Sequence, residues 1–553
     1  MKQRTASASA ARRQHWLQQI DASLRANGPD AAAPLALQAL ADGVEHPAVL
    51  NLAASTLHRQ GSFEKAVELL RRARKLAPTD PHILNSLGIC MKALGRFEPS
   101  LEAFDAALRL DPNMAAAHFN RGSVLEDLSD LKRARSAYER AAALDRNYAE
   151  PLSRLAWLDA LAGDADSARM HGEGALGISP SDLLARMALA AADLQKPDLK
   201  AAAIRLSALR QAPGLTPVNR TIILGLTGDL LHVEGHPAEA FAAYEASNIE
   251  LKTLHSARFE ARGQETALGQ VRRLTAWFDA TDPEPWRQAP PTRPRAADPG
   301  EHIFLVGFPR SGTTLLENVL AAHPKVVSLE EKDCLERVST AYLRDDQGMG
   351  RLARISPGEA ARQRDAYWSM VRGWGVEPRG RVFIDKLPLS SVQLPVVAKL
   401  FPNARVLFAR RDPRDVVLSC FRRRFVLNAP MYQLLTLESA AAYYDAVMRL
   451  SELYRHLLPL PLHVVRYESL VEDFEKTARA ACNFLGLEWH QDMVEFASKA
   501  RARGIATPSA AQVARGLNRE GKGVWRTYRE QMAPVLPILN PWIERFGYES
   551  IGE

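Results

Sequence analysis

Ile303-Phe304-Leu305-Val306-Gly307-Phe308-Pro309-Arg310-Ser311-Gly312-Thr313-Thr314 is the stretch on which the reading of this chain turns. Its first four residues are apolar and β-type, a glycine-bounded loop follows, and Leu315-Leu316-Glu317-Asn318-Val319-Leu320 continues with helical character. A strand–loop–helix unit presents free backbone N–H groups at a helix N-terminus, which suits a phosphate. The G-x4-G spacing is that of a nucleotide-binding phosphate loop, but Thr313 stands where such loops carry lysine. A bare glycine loop can equally be an ordinary strand-to-helix turn, so the segments around it must decide.

Working outward, further apolar β-type runs at Val326–Leu329, Val382–Ile384, Val406–Phe408 and His463–Val465 alternate with helical stretches. This alternation predicts a parallel α/β sheet flanked by helices, with ligands held outside the C-terminal ends of the strands. The 553-residue chain is 46% hydrophobic and 24% charged, values of a soluble globular protein of several domains. No apolar run is long enough to suggest a membrane span. The start of the chain, through Arg12 and Arg13, is basic without the apolar core of a secretory signal. Cys90, Cys334, Cys420 and Cys482 form no CxxC pair; reduced, mostly buried thiols and a cytoplasmic setting are expected, with no metal site. The net charge of +7 is concentrated: Arg405, Arg410, Arg411, Arg414, Arg422, Arg423 and Arg424 crowd one short segment against Asp412 and Asp415. That density favours an anionic ligand, while no motif with interleaved aromatics supports nucleic acid. Of Arg422, Arg423 and Arg424, read as helical, at least two are expected on a solvated face.

The first half is repetitive. Gly61, Gly95 and Gly163 share a register of 34 residues in which Ser129 fills the missing place. Ala73, Ala107, Ala141 and Ala175 keep the same spacing, as do Pro78, Pro112 and Pro180, with Leu76, Leu110, Leu144 and Ile178 at the apolar place before the exit. This period resembles that of tetratricopeptide repeats, pairs of antiparallel helices that stack into a solenoid. Gly235-His236-Pro237-Ala238-Glu239-Ala240 repeats the register once more. The expected organisation is a basic tail or helix over 1–30, a repeat solenoid over 31–250, and a helical then proline-rich linker over 251–300. A second domain then covers 301–553.

Four further stretches carry a second resemblance. They are Leu329-Glu330-Glu331, Ile384-Asp385-Lys386, the run Arg410-Arg411-Asp412-Pro413-Arg414 with Ser419 behind it, and Arg466-Tyr467-Glu468. With the loop, they resemble the sulfotransferases, especially the tyrosylprotein branch, over roughly 301–550. The resemblance implies a donor, 3′-phosphoadenosine 5′-phosphosulfate, whose 5′-phosphosulfate lies on Pro309, Arg310, Ser311, Gly312, Thr313 and Thr314. Arg411 and Ser419 match the residues that hold the 3′-phosphate, and Tyr467 lines the nucleotide site. Glu331 matches the base that takes the acceptor's proton, and Lys386 and Ser509 match groups that stabilise the transition state. Removing a proton from a phenol of ordinary pKa near 10 has clear value at neutral pH. Two positions depart from the pattern: Asp333 stands where a basic residue is usual, and Val524 precedes Trp525 in place of another. Lys522 is a phosphate candidate only by its charge and its nearness to Trp525.

The reading is therefore a tetratricopeptide solenoid followed by an α/β sulfotransferase domain that needs no metal. The acceptor is expected to be a tyrosine of a protein or peptide, presented by the repeats, and a homodimer is compatible with the sequence. A carbohydrate or small-molecule acceptor, a magnesium-dependent kinase and a non-catalytic nucleotide-binding scaffold are the alternatives.

Overall fold

The computed structural model describes residues 2–195, 198–291, 298–503, 513 and 516–549. Among these, fourteen α-helices precede the sheet domain between Lys2 and Ala280. After the opening helix they pair as the register predicts: Pro47–Arg59 with Phe63–Leu76, Pro81–Ala93 with Phe97–Leu110, Ala115–Asp127 with Leu131–Leu144, and onward. Ala73, Ala107, Ala141 and Ala175 are wholly buried, the small side chains allowing paired helices to approach. Approach is closest where a glycine meets a ring: a Cβ on Gly88 would lie 2.6 Å from Phe104, and one on Gly122 would lie 2.7 Å from Tyr138. Leu76, Leu110 and Ile178, by contrast, end their helices exposed.

The chain forms two compact units, one of residues 1–159 with 166–189, the other of 160–165 with 190–553. The division thus falls inside the repeats rather than between 250 and 300. Helices Pro217–Val233, Pro237–Phe259 and Ala267–Ala280 belong with the sheet. Asn248 donates to the Phe421 carbonyl at 2.8 Å, and the Phe241 and Phe421 rings stack with centroids 4.8 Å apart. The start of the proline-rich stretch is packed within the second unit. Trp286, in the short helix Glu284–Arg287, is 1% exposed against Phe278. Lys399 donates to the Gln288 carbonyl at 2.6 Å and to that of Pro285. A buried indole outweighs the extended habit that the prolines suggest.

All five predicted strands form: β1 Glu301–Gly307, β2 Val326–Glu330, β3 Val382–Lys386, β4 Arg405–Arg410 and β5 Leu462–Arg466. They make one parallel sheet in the order β2-β3-β1-β4-β5. Side chains alternate across β1, Phe304 and Val306 joining the core on one face, Ile303 and Leu305 that on the other. Both faces are covered, which is why the strands read as continuous apolar runs. The chain leaves β1 toward one edge and β4 toward the other, so the crevice between their C-terminal ends is the switch point where such sheets bind ligands. No described helix is long and apolar enough to cross a membrane.

Candidate active site

The loop after β1 is shaped by close backbone approach. A Cβ on Gly307 would meet the Ala409 carbonyl oxygen of β4 at 2.6 Å, and one on Gly312 would meet the Tyr467 ring at 2.8 Å. Gly312, at φ 94°, caps the helix Thr313–Ala321, and the loop's Ser311, Thr313 and Thr314 are buried. Arg310 sits between them at φ 69°. Its Nε donates to Ser419 Oγ at 3.1 Å, while Arg411 Nη1 donates to the Arg310 carbonyl at 2.9 Å. The Arg411 guanidinium lies over the Tyr467 ring, 4.8 Å from its centroid, and also donates to the Gly521 carbonyl. The loop, Arg411, Ser419 and Tyr467 are therefore one constellation, assembled from the ends of β1, β4 and β5.

Its electrostatics favour an anion. Burial, then the neighbouring Arg423 and Arg411, push the Arg310 guanidinium down to about 9. Arg411 Nε is buried with no hydrogen-bond partner among the described residues. A phosphate would accept from that donor and relieve the repulsion between the guanidinium groups, so the residues present fit a phosphorylated donor.

Beside the loop, at the ends of β2 and β3, lies the second half of the site. Lys386 is 0% exposed, and its Nζ donates to Glu331 Oε1 at 2.8 Å. Glu331 N in turn donates to the Lys386 carbonyl at 2.8 Å, which holds Glu331 in left-handed backbone at φ 47°. Burial opposes the charge on Lys386, but Glu331, Glu317 and Glu330 together hold its pKa above the ordinary lysine value. On the other face of β3, Tyr367 Oη donates to Asp385 Oδ2 at 2.6 Å and lies 3.0 Å from His302 Nε2. Burial raises Asp385 to about 7 and lowers His302 to about 3.

Other sequence candidates fall elsewhere. Lys522, next to the Gly521 that accepts from Arg411, forms an exposed ion pair with Glu472. Ser509 lies outside the described residues. Asp333, half-buried, accepts from Gln393 at 2.9 Å. Arg414 forks onto Asp412 at 2.9 and 2.7 Å, with its guanidinium 3.9 Å from the Trp525 ring centroid. Of the arginine triple, Arg422 ends the helix and packs between Tyr244 and Tyr528, whereas Arg423, 3.9 Å from Asp229, is part-exposed and Arg424 is exposed, so two of the three meet solvent. Three positioning groups escaped the sequence reading. Asp415 accepts from Gly523 N at 2.7 Å and Trp525 N at 3.0 Å, pinning the late segment. Glu468 accepts from Asp412 N at 2.9 Å and Tyr548 at 3.0 Å. Glu317, the third, is buried below Lys386. A carboxylate inside an apolar helix was the available signal for Glu317; Glu468 stood in the Arg466-Tyr467-Glu468 motif without this role, and nothing local marked that of Asp415.

Residues 302–491 match the sulfotransferase family model, while residues 17–81 and 92–149 match a tetratricopeptide repeat and 57–118 a second one. The C-terminal region is thus similar to the sulfotransferase family, with matches to tetratricopeptide repeats before it. Similar proteins include protein-tyrosine sulfotransferase A of Caenorhabditis elegans, 25% identical over 256 residues, covering 45% of this chain and 67% of that protein. The protein-tyrosine sulfotransferase of Drosophila melanogaster is 28% identical over 259 residues, 43% of this chain and 50% of its own. An uncharacterized protein of Aquifex aeolicus is 26% identical over 245 residues, 43% of this chain and 32% of its own. The chain thus spans between a third and two thirds of the length of these relatives.

Proposed function

We propose that this protein transfers a sulfuryl group from 3′-phosphoadenosine 5′-phosphosulfate to an acceptor hydroxyl, that of a tyrosine in a protein or peptide. The observation that carries the reading is the joining of an anion-ready loop, Arg310–Thr314 with Arg411 and Ser419, to the buried Lys386–Glu331 pair. In this reading the loop N–H groups and Arg310 hold the phosphosulfate, and Arg411 and Ser419 hold the 3′-phosphate. Lys386 faces the oxygen on which charge develops as the sulfur–oxygen bond breaks. Glu331 takes the acceptor's proton. Protein cations supply the charge neutralisation, so no metal is required. The tyrosine acceptor is supported by the names of the relatives, and the repeats offer a surface for presenting it. The loop's Thr313 in place of lysine weighs against a kinase.

The test is a thermal-shift titration with adenosine 3′,5′-bisphosphate against ATP with magnesium, followed by transfer to tyrosine peptides and to sugars. A ligand that binds only the folded protein raises its melting temperature. Stabilisation by the bisphosphate alone, lost in Arg411→Ala, is expected. Stabilisation by ATP with magnesium instead would overturn the sulfotransferase reading, and transfer to sugars alone would overturn the tyrosine acceptor.

A further inference from the structure

Three carboxylates converge on Lys386: Glu331 at 2.8 Å, Glu317 at 3.5 Å and Glu330 at 3.6 Å. They differ in access to water. The side chain of Glu331 is 35% exposed and that of Glu330 is 20% exposed, but that of Glu317 is only 1% exposed. Glu317 lies on the helix Thr313–Ala321, one turn beyond the phosphate loop, while Glu330 ends β2 and Glu331 follows it. Neither Glu317 oxygen has a hydrogen-bond partner among the described residues. A carboxylate buried this way is costly unless a charge compensates it, and Lys386 is the cation beside it. An apolar residue would pack at this position without that cost.

We infer that Glu317 is a positioning residue, the permanent counter-ion that holds Lys386 in place when Glu331 releases it to take the acceptor's proton. The inference rests on the sulfuryl-transfer reading above. In that reaction the acceptor O–H proton passes to a Glu331 oxygen, and the acceptor oxygen forms its bond to sulfur. The bond from sulfur to the donor's phosphate oxygen breaks, with its electron pair leaving on that oxygen beside Lys386. Glu331 becomes neutral in the same step and its hold on Lys386 weakens. With Glu317 at 3.5 Å, the wholly buried ammonium keeps an anionic partner throughout. Glu317 is also a negative charge close to an anion site, so it opposes donor binding while supporting transfer. These two effects have opposite signs, which separates a positioning role from a structural one.

The experiment compares full-length wild type, Glu317→Gln and Glu317→Asp by kcat, KM for the acceptor, melting temperature and Kd for adenosine 3′,5′-bisphosphate. Glu317→Gln is expected to lower kcat by roughly tenfold or more with little change in acceptor KM. Its bisphosphate Kd should stay level or tighten, and Glu317→Asp should recover part of kcat. Unchanged kcat in a folded Glu317→Gln protein overturns the inference. So does a parallel loss of kcat, bisphosphate affinity and melting temperature, the mark of a purely structural residue. Should Glu317→Gln fail to fold, Glu317→Asp decides: lowered kcat with bisphosphate affinity kept supports the inference, and unchanged kcat overturns it. A wild type that binds the bisphosphate yet transfers no sulfuryl group instead overturns the functional reading on which the inference stands.

Discussion

In the repeats, the turn between paired helices falls on Gly61 at φ 74°, Gly95 at φ 70°, Gly163 at φ 85° and Gly235 at φ 83°, with Ser129 at φ 58° in the one place without glycine. At the rim of the sheet the same left-handed backbone holds Arg310 at φ 69° and Glu331 at φ 47°. The conformation is shared and its use is not. In the repeats a tight turn dictates it, glycine adopts it freely, and Ser129 follows the same turn at a local backbone cost. At the rim the same backbone carries side chains with partners: from it Arg310 reaches Ser419 and Glu331 reaches Lys386. Strain tolerated at a turn is incidental, whereas strain that aims a charged group marks a site.

Breaking the comparison begins with the buried charge of the rim. Asp385, raised from 3.8 to about 7, keeps its proton in the folded protein where the unfolded chain has released it. Its stabilising contribution is therefore complete below about pH 4 and is lost as pH rises to 7, a change on the order of 4 kcal/mol from linkage. Asp385→Asn keeps an acceptor for Tyr367 without the titration. Urea midpoints measured from pH 4 to 8 should show the variant gaining on wild type across that window; parallel curves would refute the prediction. Next comes Arg310→Gly, which relaxes the backbone and removes a buried cation from beside Arg411 and Arg423. Bisphosphate affinity should fall roughly 100-fold, the scale of a lost charge-assisted contact. The unliganded protein should melt no lower than wild type, which calorimetry would check. A lower melting temperature would mean that the loop is held for stability rather than for its ligand. The smallest effect is Ser129→Gly. It should stabilise the repeats by about 1 kcal/mol, read as a shift in denaturant midpoint, and leave activity unchanged.

Much of this was legible in the residues. Glycine and alanine at a fixed period gave the helix pairs, because each repeat meets the same steric demand. The strands showed as apolar runs because a parallel sheet is buried on both faces. Arg411, Ser419, Lys386 and Glu331 could be picked out through the resemblance, and all but Ser419 stand at or just past strand ends, where such sheets hold ligands. Their partners could not. Periodicity says that Glu317 belongs to a helix but not that Lys386 lies against it, and the pairing of Arg414 with Asp412 was undecided in the sequence. The prolines between 283 and 299 suggested a linker, yet Trp286 packs the short helix Glu284–Arg287 into the core. Which of Arg422, Arg423 and Arg424 would pack inward was not legible, because Tyr244 and Tyr528, which flank Arg422, are distant in the chain.

The sequence by itself determined the repeats, the five strands and the loop between β1 and its helix, since each follows from local spacing, backbone propensity and burial pattern. Only the tertiary structure decided which charges share the buried space at the end of β3, and that the last helical repeat belongs with the sheet. Those outcomes depend on desolvation and on contacts between residues far apart in the chain, quantities that no local pattern of residue types encodes.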